Sequence, residues 1–238
     1  MKFDELLSLV QSEPVFTTGM LAAGDVELPE VRRQLSRWRK AGRIIQLRRG
    51  LYTLSKRYRK VDPHPFLVAN AISRPSYVSC QSALSYYGLI PEAVFMYTCV
   101  TTGRPAVHQN ELGRFIYRHI KVDLFWGYRW FPLDTGLSHS PRTGPDATGP
   151  RATAPSGLMW GIGAFVAKPE KALLDLIYLE TGADDPGYLD ALRLQNLSVL
   201  RLEELKKMAR KAGKPKLRRA VSYIEKLCKT EDESYKTL

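Results

Sequence analysis

Cysteine is scarce in this chain and never falls in a spacing that does structural work. Cys80, Cys99 and Cys228 are the only three among 238 residues. An odd count without a C-x-x-C pair argues against a disulfide framework and a thiolate metal site, and for reduced thiols. The four histidines, His64, His108, His119 and His139, are scattered and match no zinc spacing. No metal and no cofactor is expected. Long apolar runs are missing as well: the longest, Leu158 to Ala167, includes Gly161 and Gly163 and falls far short of the roughly 20 residues that span a bilayer. The start, Met1-Lys2-Phe3-Asp4-Glu5, has acids in place of the apolar core of a signal peptide. These absences lead to the expectation of a soluble cytoplasmic protein without a membrane partner.

Catalytic signatures are equally sparse. The chain has no G-x-x-x-x-G-K-[ST], no G-x-S-x-G and no H-E-x-x-H, and Gly161-Ile162-Gly163 alone is too common to mark a nucleotide loop. Glu170 and Asp175 are five residues apart on a predicted helix, about 140° around its axis, so they do not form a carboxylate pair on one face. Helix-start charge and local hydrogen bonding explain them better than catalysis. His108 and Arg104 lie where a surface loop is the simpler account than a ligand site. No catalytic residue is assigned, and the protein is expected not to be an enzyme.

Positive charge is abundant and unevenly placed. The formal net charge is +12. Residues 1–60 carry 13 Lys/Arg against 6 Asp/Glu, residues 61–200 carry 11 against 12, and residues 201–238 carry 12 against 6. The excess therefore lies at the two ends. From 28 to 60 there are 12 basic residues and Glu30 is the only acid, the electrostatic footprint expected of a surface that meets a phosphate backbone.

Local patterns place that charge on a recognisable frame. Phe3, Leu6, Leu7 and Val10 have helical spacing, predicting a first helix from about Lys2 to Ser12, and Pro14 follows it. Thr17 or Thr18 can cap a short second helix carrying Met20 and Leu21 before Gly24. A third helix is predicted from Pro29 to Ala41, with Val31, Leu35 and Trp38 on its buried face and Gly42 as its stop. Arg43 to Leu54 alternates as two strands meeting around Arg48-Arg49-Gly50. Helix, helix, basic helix and basic-tipped hairpin is the order of a winged helix-turn-helix, in which the third helix enters the major groove. Arg33, Ser36, Arg37 and Lys40 form its outward stripe and Arg32 flanks it. Arg33 and Arg37 are the candidates for reading guanine, because Arg can donate two parallel hydrogen bonds to O6 and N7. Arg43, Arg48 and Arg49 are expected to hold phosphate or the minor groove from the wing.

The run Lys56-Arg57-Tyr58-Arg59-Lys60 and the prolines of Asp62-Pro63-His64-Pro65 mark a boundary, dividing the chain into 1–60 and 61–238. The run reads equally well as extra phosphate contacts or as a solvated linker. Beyond it, helix starts at Phe66–Ile72, a strand and helix over Tyr77–Gly88, and strands at Val94–Thr102 and Arg114–Ile120, with Asp123–Trp126 as an extension, give a mixed pattern. Thr101-Thr102-Gly103-Arg104-Pro105 is a turn-rich connection. Asp134–Gly157, rich in Pro, Gly, Ser and Thr and poor in bulky apolar residues, reads as a flexible loop. A central strand at Leu158–Ala167 and a helix started by Pro169 follow, then helices near Tyr188–Leu194, Arg201–Ala212 and Lys216–Cys228. The last two carry the second basic surface: Lys206, Lys207, Arg210, Lys211, Lys214, Lys216, Arg218 and Arg219. The expected class is α+β, an N-terminal winged helix-turn-helix followed by a mixed α/β domain with a helical C-terminus.

Several segments together resemble the AbiE-type (AbiEi) antitoxins of type IV toxin-antitoxin systems. They are the winged-helix start ending Arg48-Arg49-Gly50-Leu51-Tyr52, then Tyr77-Val78-Ser79-Cys80-Gln81-Ser82-Ala83-Leu84 with Gly88-Leu89, then Thr102-Gly103-Arg104-Pro105, and finally Pro169-Glu170-Lys171-Ala172-Leu173-Leu174-Asp175. The resemblance implies an N-terminal domain that represses its own operon at inverted repeats in double-stranded operator DNA. It also implies a C-terminal domain that counteracts a nucleotidyltransferase-like toxin, and a place in phage defence. A tRNA is left open as a further partner of the basic C-terminal helices. The 134–157 stretch looks like an expansion relative to the family. From the residues alone, two other readings stay open: a winged-helix regulator whose C-terminal domain senses a ligand or dimerises, and an RNA-binding protein using both basic ends.

Overall fold

Helical spacing and capping set the N-terminal quarter. In a computed structural model, residues 1–22, 27–92, 95–133 and 162–236 are described, with side chains described up to 229. Helix α1 (Phe3–Val10) buries Leu6 and Val10, one turn apart. The backbone N–H of Lys2 donates to Glu5 Oε2 at 2.9 Å and closes its first turn. Strand β1 (Phe16–Thr17) leads into α2 (Thr18–Leu21), capped where Thr17 Oγ1 accepts from the Met20 N–H at 3.3 Å. Helix α3 (Leu28–Lys40) carries Pro29 in its first turn and buries Val31, Leu35 and Trp38. Its last turn holds Arg37, Arg39 and Lys40 against the negative end of the helix dipole. The hairpin of β2 (Ile44–Arg48) and β3 (Leu51–Leu54) turns at Gly50, whose φ of 79° lies in the left-handed region.

Strand β1 is not legible in the sequence pattern. Two residues are too few to alternate, yet Phe16 pairs with Tyr52 and is fully buried. The resulting sheet has the order β1-β3-β2. The basic run after β3 is neither extended nor free. The Lys60 N–H donates to the Gln11 carbonyl at 3.0 Å, and the Tyr58 ring packs edge-on to Phe3 at 5.0 Å.

The rest of the chain builds a six-stranded mixed sheet. In chain order the elements are α4 (Pro65–Ile72), β4 (Ser76–Val78), α5 (Cys80–Tyr86), β5 (Met96–Thr101), β6 (Ala106–Asn110), β7 (Gly113–His119), a short 3-10 turn (Val122–Leu124) and β8 (Tyr128–Pro132). They continue with β9 (Gly163–Ala167), α6 (Pro169–Leu179), α7 (Pro186–Ala191), a second 3-10 turn (Leu197–Val199), α8 (Leu202–Ala212) and α9 (Pro215–Lys236). The sheet order is β6-β7-β5-β4-β9-β8, with β5–β7 and β4–β9 parallel and the other neighbours antiparallel. Both edges, β6 and β8, are strands the sequence reading lacks, because edge strands bury one side only and carry polar residues such as His108, Gln109 and Arg129. Residues Asp123–Trp126 form no strand extension; Val122–Leu124 is a 3-10 turn. The expected loop at 134–157 and the first residues of the strand expected at 158–167 lie outside the described residues.

Two apolar clusters share the small sheet. Leu6, Val10, Phe16, Val31, Leu35, Trp38, Ile44, Tyr52 and Leu54 belong to one. Leu47 and Leu51, from the same hairpin, belong to the other, with Phe66, Tyr77, Phe115, Leu174 and most of the apolar side chains beyond residue 61. Alternation along β3 explains this: Tyr52 and Leu54 face the helices of the first cluster, while Leu51 faces the opposite way. Every residue of β3 is buried. Asn110 at the end of β6 fastens the arrangement, its Nδ2 donating to the Leu47 carbonyl at 3.2 Å.

Candidate nucleic-acid interface

The α3 stripe follows from the buried one. With Val31, Leu35 and Trp38 inward, a 100° step per residue sends Arg33, Ser36, Arg37 and Lys40 to the opposite side. All four are exposed, as are Arg32 and Arg39 on the flanks. Arg33 Nη2 stands 2.7 Å from Glu30 Oε2, with the Arg33 side chain 69% exposed, so the pairing is open to solvent and easily exchanged. The Glu30 carboxyl is held below its ordinary range, first by the Gln34 amide that donates to it and then by the Arg33 charge.

The wing divides its arginines among different tasks. Arg48 and Arg49 are exposed at its tip, and Arg48 Nη1 donates to the Arg49 carbonyl at 3.4 Å. Arg43 is committed elsewhere: its guanidinium lies over the Phe3 ring of α1 at 4.8 Å. Arg39, exposed on the flank of α3, donates from Nη1 to Gln46 Oε1 at 2.5 Å and ties α3 to β2. No sequence signal announces that link, since it joins two elements through a polar pair seven residues apart.

At the other end, eight cations that read as one surface fall into two groups. Lys206 pairs with Glu203 at 3.3 Å and Glu225 at 3.0 Å, Arg219 pairs with Asp184 at 2.7 Å, and Lys216 donates to the Glu180 carbonyl. Lys211 Nζ sits 4.4 Å over the Trp126 ring. Lys207, Arg210, Lys214 and Arg218 pair with no acid among the described residues, and all but the half-buried Lys214 are exposed.

Between these ends lies a buried polar cluster absent from the sequence reading. Asp175 is 1% exposed. It accepts from Tyr77 Oη at 2.9 Å and Ser79 Oγ at 2.7 Å and pairs with Lys171, which also donates to Tyr77 Oη at 2.9 Å. Burial pushes the Asp175 carboxyl up, against the opposing pull of Lys171, and the same burial raises the Tyr77 hydroxyl. Glu170 points elsewhere, accepting from the Arg201 N–H at 3.0 Å. The sequence signal that could have found the cluster is the i, i+4 pair Lys171 and Asp175 inside an apolar run; comparing Glu170 with Asp175 missed it. The adjoining hollow, lined in part by Trp126, Lys171, Leu174, Asp175 and Leu217, has room for about one water molecule and no organic ligand.

Cys80 and Cys99 are buried and their thiols are pushed up by that burial, which leaves them unreactive. His108 is half-buried on β6 against Tyr117, and Arg104 is exposed in the connection before it. Among the described residues no group of His, Cys, Asp and Glu is placed to hold a metal ion, and no helix is long and apolar enough to cross a membrane.

Comparison with known proteins bears on the N-terminal frame. No curated protein matches the chain. Residues 4–55 match the family model described as "Transcriptional regulator, AbiEi antitoxin", a span that runs from α1 through β3 and contains the α3 stripe and the wing tip. Over that segment, the chain is similar to the AbiEi antitoxin family of transcriptional regulators.

Proposed function

We propose that this protein is the antitoxin of a type IV toxin-antitoxin system that also represses its own operon. The observation that carries the reading is the exposed, acid-poor stripe of α3 backed by a buried Val31-Leu35-Trp38 face, within the segment that matches the regulator family. Arg33 and Arg37 read base edges in the major groove of double-stranded operator DNA; Arg32, Ser36 and Lys40 flank them, and Arg48 and Arg49 reach phosphate or the minor groove. Arg43 supports the wing through Phe3 and adds charge to the field. Inverted repeats in the operator suit two copies of the chain.

The second half of the reading assigns residues 61–238 to counteracting a nucleotidyltransferase-like toxin, with the basic α8–α9 surface as the contact and phage defence as the setting. A tRNA shared with the toxin is one target consistent with that charge. The experiment is co-expression with the neighbouring toxin gene beside a promoter reporter. Arg33→Ala with Arg37→Ala should release the promoter while growth rescue persists. Loss of rescue with repression intact is expected from charge reversal at Lys207, Arg210 and Lys211. A chain that neither represses its own promoter nor restores growth would refute the proposal.

A further inference from the structure

We propose that the exposed Lys207 and Arg210 with the half-buried Lys214, continued by the exposed Arg218, form a sequence-independent binding surface for the phosphodiester backbone of a nucleic acid, separate from the winged helix. The proposal rests on the reading of the C-terminal region as the effector half and names the chemistry of its partner.

Geometry makes the stripe. On α8, Lys207 stands three residues from Arg210 and four from Lys211, so these three project from one side, opposite the buried Leu205, Met208 and Ala209, and Lys214 follows beyond the end of the helix, just before α9. The structure separates used cations from unused ones. Lys206, Lys216 and Arg219 have acidic or carbonyl partners within the chain, whereas Lys207, Arg210, Lys214 and Arg218 have none among the described residues. Helix electrostatics accounts for only part of this charge. Arg210 and Lys211 offset the negative end of α8, but Arg218 lies in the first turn of α9, where the helix end is already positive and no acid is present. Concentrating like charge there raises the self-energy of the free protein and is relieved by a polyanion.

The character of the surface decides between polyanions. A protein partner would be expected to meet an apolar centre with a polar rim. The exposed large apolar side chains of this chain, among them Leu9, Phe95, Met96 and Val107, include none on α8 or on the described part of α9. Nucleic-acid interfaces are instead polar and strongly positive. The stripe carries no Asn, Gln, Ser or Thr beside its cations, so backbone contact, not base reading, is its chemistry.

The test uses the full chain with Lys207→Gln, Arg210→Gln and Lys214→Gln together, which touches no buried residue and should leave the melting temperature unchanged. Binding is measured between 50 and 300 mM salt to a 30-nucleotide RNA, to a non-operator DNA duplex and to poly-glutamate of matched charge, in a background carrying Arg33→Ala and Arg37→Ala to silence the head. Each neutralised phosphate contributes about −0.7 to −0.9 to the log–log salt slope, so the triple variant should lose about 2 to 3 from the slope on RNA or on duplex. The two probes separate the sources, since a loss confined to RNA identifies RNA and a loss confined to the duplex identifies DNA. An unchanged slope on both overturns the proposal, and so does poly-glutamate binding that is tighter than either and lost in the triple variant, which would mark an acidic protein face. Operator repression by the triple variant in the wild-type head reports separately on the winged-helix reading.

Discussion

The pair Lys171 and Asp175 allows a prediction in which two single substitutions fail in different ways. Both side chains are almost fully buried, and each has partners besides the other. Asp175→Asn leaves an ammonium facing one tyrosine hydroxyl and the Trp126 ring at 5.2 Å; stranding a buried charge in this way costs about 3–5 kcal/mol. Lys171→Met leaves a carboxylate that keeps two hydroxyl donors and can escape its burial by taking a proton. The folded-state pKa of Asp175 is raised above the unfolded value of about 3.9. A raised carboxyl contributes stability that is present below the unfolded value and lost as pH rises through the folded one. Removing Lys171, which pulls that pKa down, extends the window upward, so the Lys171→Met deficit should grow from pH 4 toward neutrality. The double replacement Lys171→Met with Asp175→Leu removes both charges but leaves the buried Tyr77 and Ser79 hydroxyls without these partners, so it should recover only part of the Asp175→Asn loss. Urea denaturation of the full chain at pH 5 and pH 7.5 reads all three. A loss under about 1 kcal/mol for Asp175→Asn, or a Lys171→Met deficit that ignores pH, would refute the reasoning.

At the proposed DNA face, Arg33→Ala and Arg37→Ala should each relax base preference by roughly 1–3 kcal/mol, while Arg48→Ala and Arg49→Ala weaken operator and scrambled duplex alike; anisotropy titrations on both duplexes distinguish them. Leu47→Ala should destabilise the whole chain by about 2–5 kcal/mol, because Leu47 is packed with the larger cluster; a melting curve in which only a minor early transition moves would count against that packing. A fragment of residues 1–60 should bind promoter DNA weakly and with steep salt dependence, yet melt below the full chain, since Leu47 and Leu51 lose their cover; equal melting temperatures would mean that cover is energetically idle.

Amphipathic periodicity made α1, α3, α6 and α8 legible to within a few residues, because each buries a stripe that repeats at helical spacing. The wing was legible through Gly50 and its flanking alternation. What escaped was whatever depends on partners distant in sequence. Strand β1 exists because Phe16 finds Tyr52, and β6 and β8 exist because a sheet needs edges. Leu47 and Leu51 looked like ordinary hairpin residues, and nothing local says that they face a second core. The basic surface illustrates the same limit: spacing places eight cations at one end of the chain, but only the positions of Glu203, Glu225, Asp184 and Glu180 show which are already occupied.

Because β3 is buried on both faces and Asn110 clasps the carbonyl of Leu47, the head proposed to read DNA is packed directly against the body behind it. If the operator is an inverted repeat, as proposed, this packing turns operator spacing into a steric ruler. One added base pair between half-sites rotates one head about the duplex axis by about a tenth of a turn, and the attached body must swing through the same arc. Two copies that fit side by side at one spacing would collide or separate at the next, so the distance between half-sites should be far less tolerant of change than it would be for heads on a loose tether.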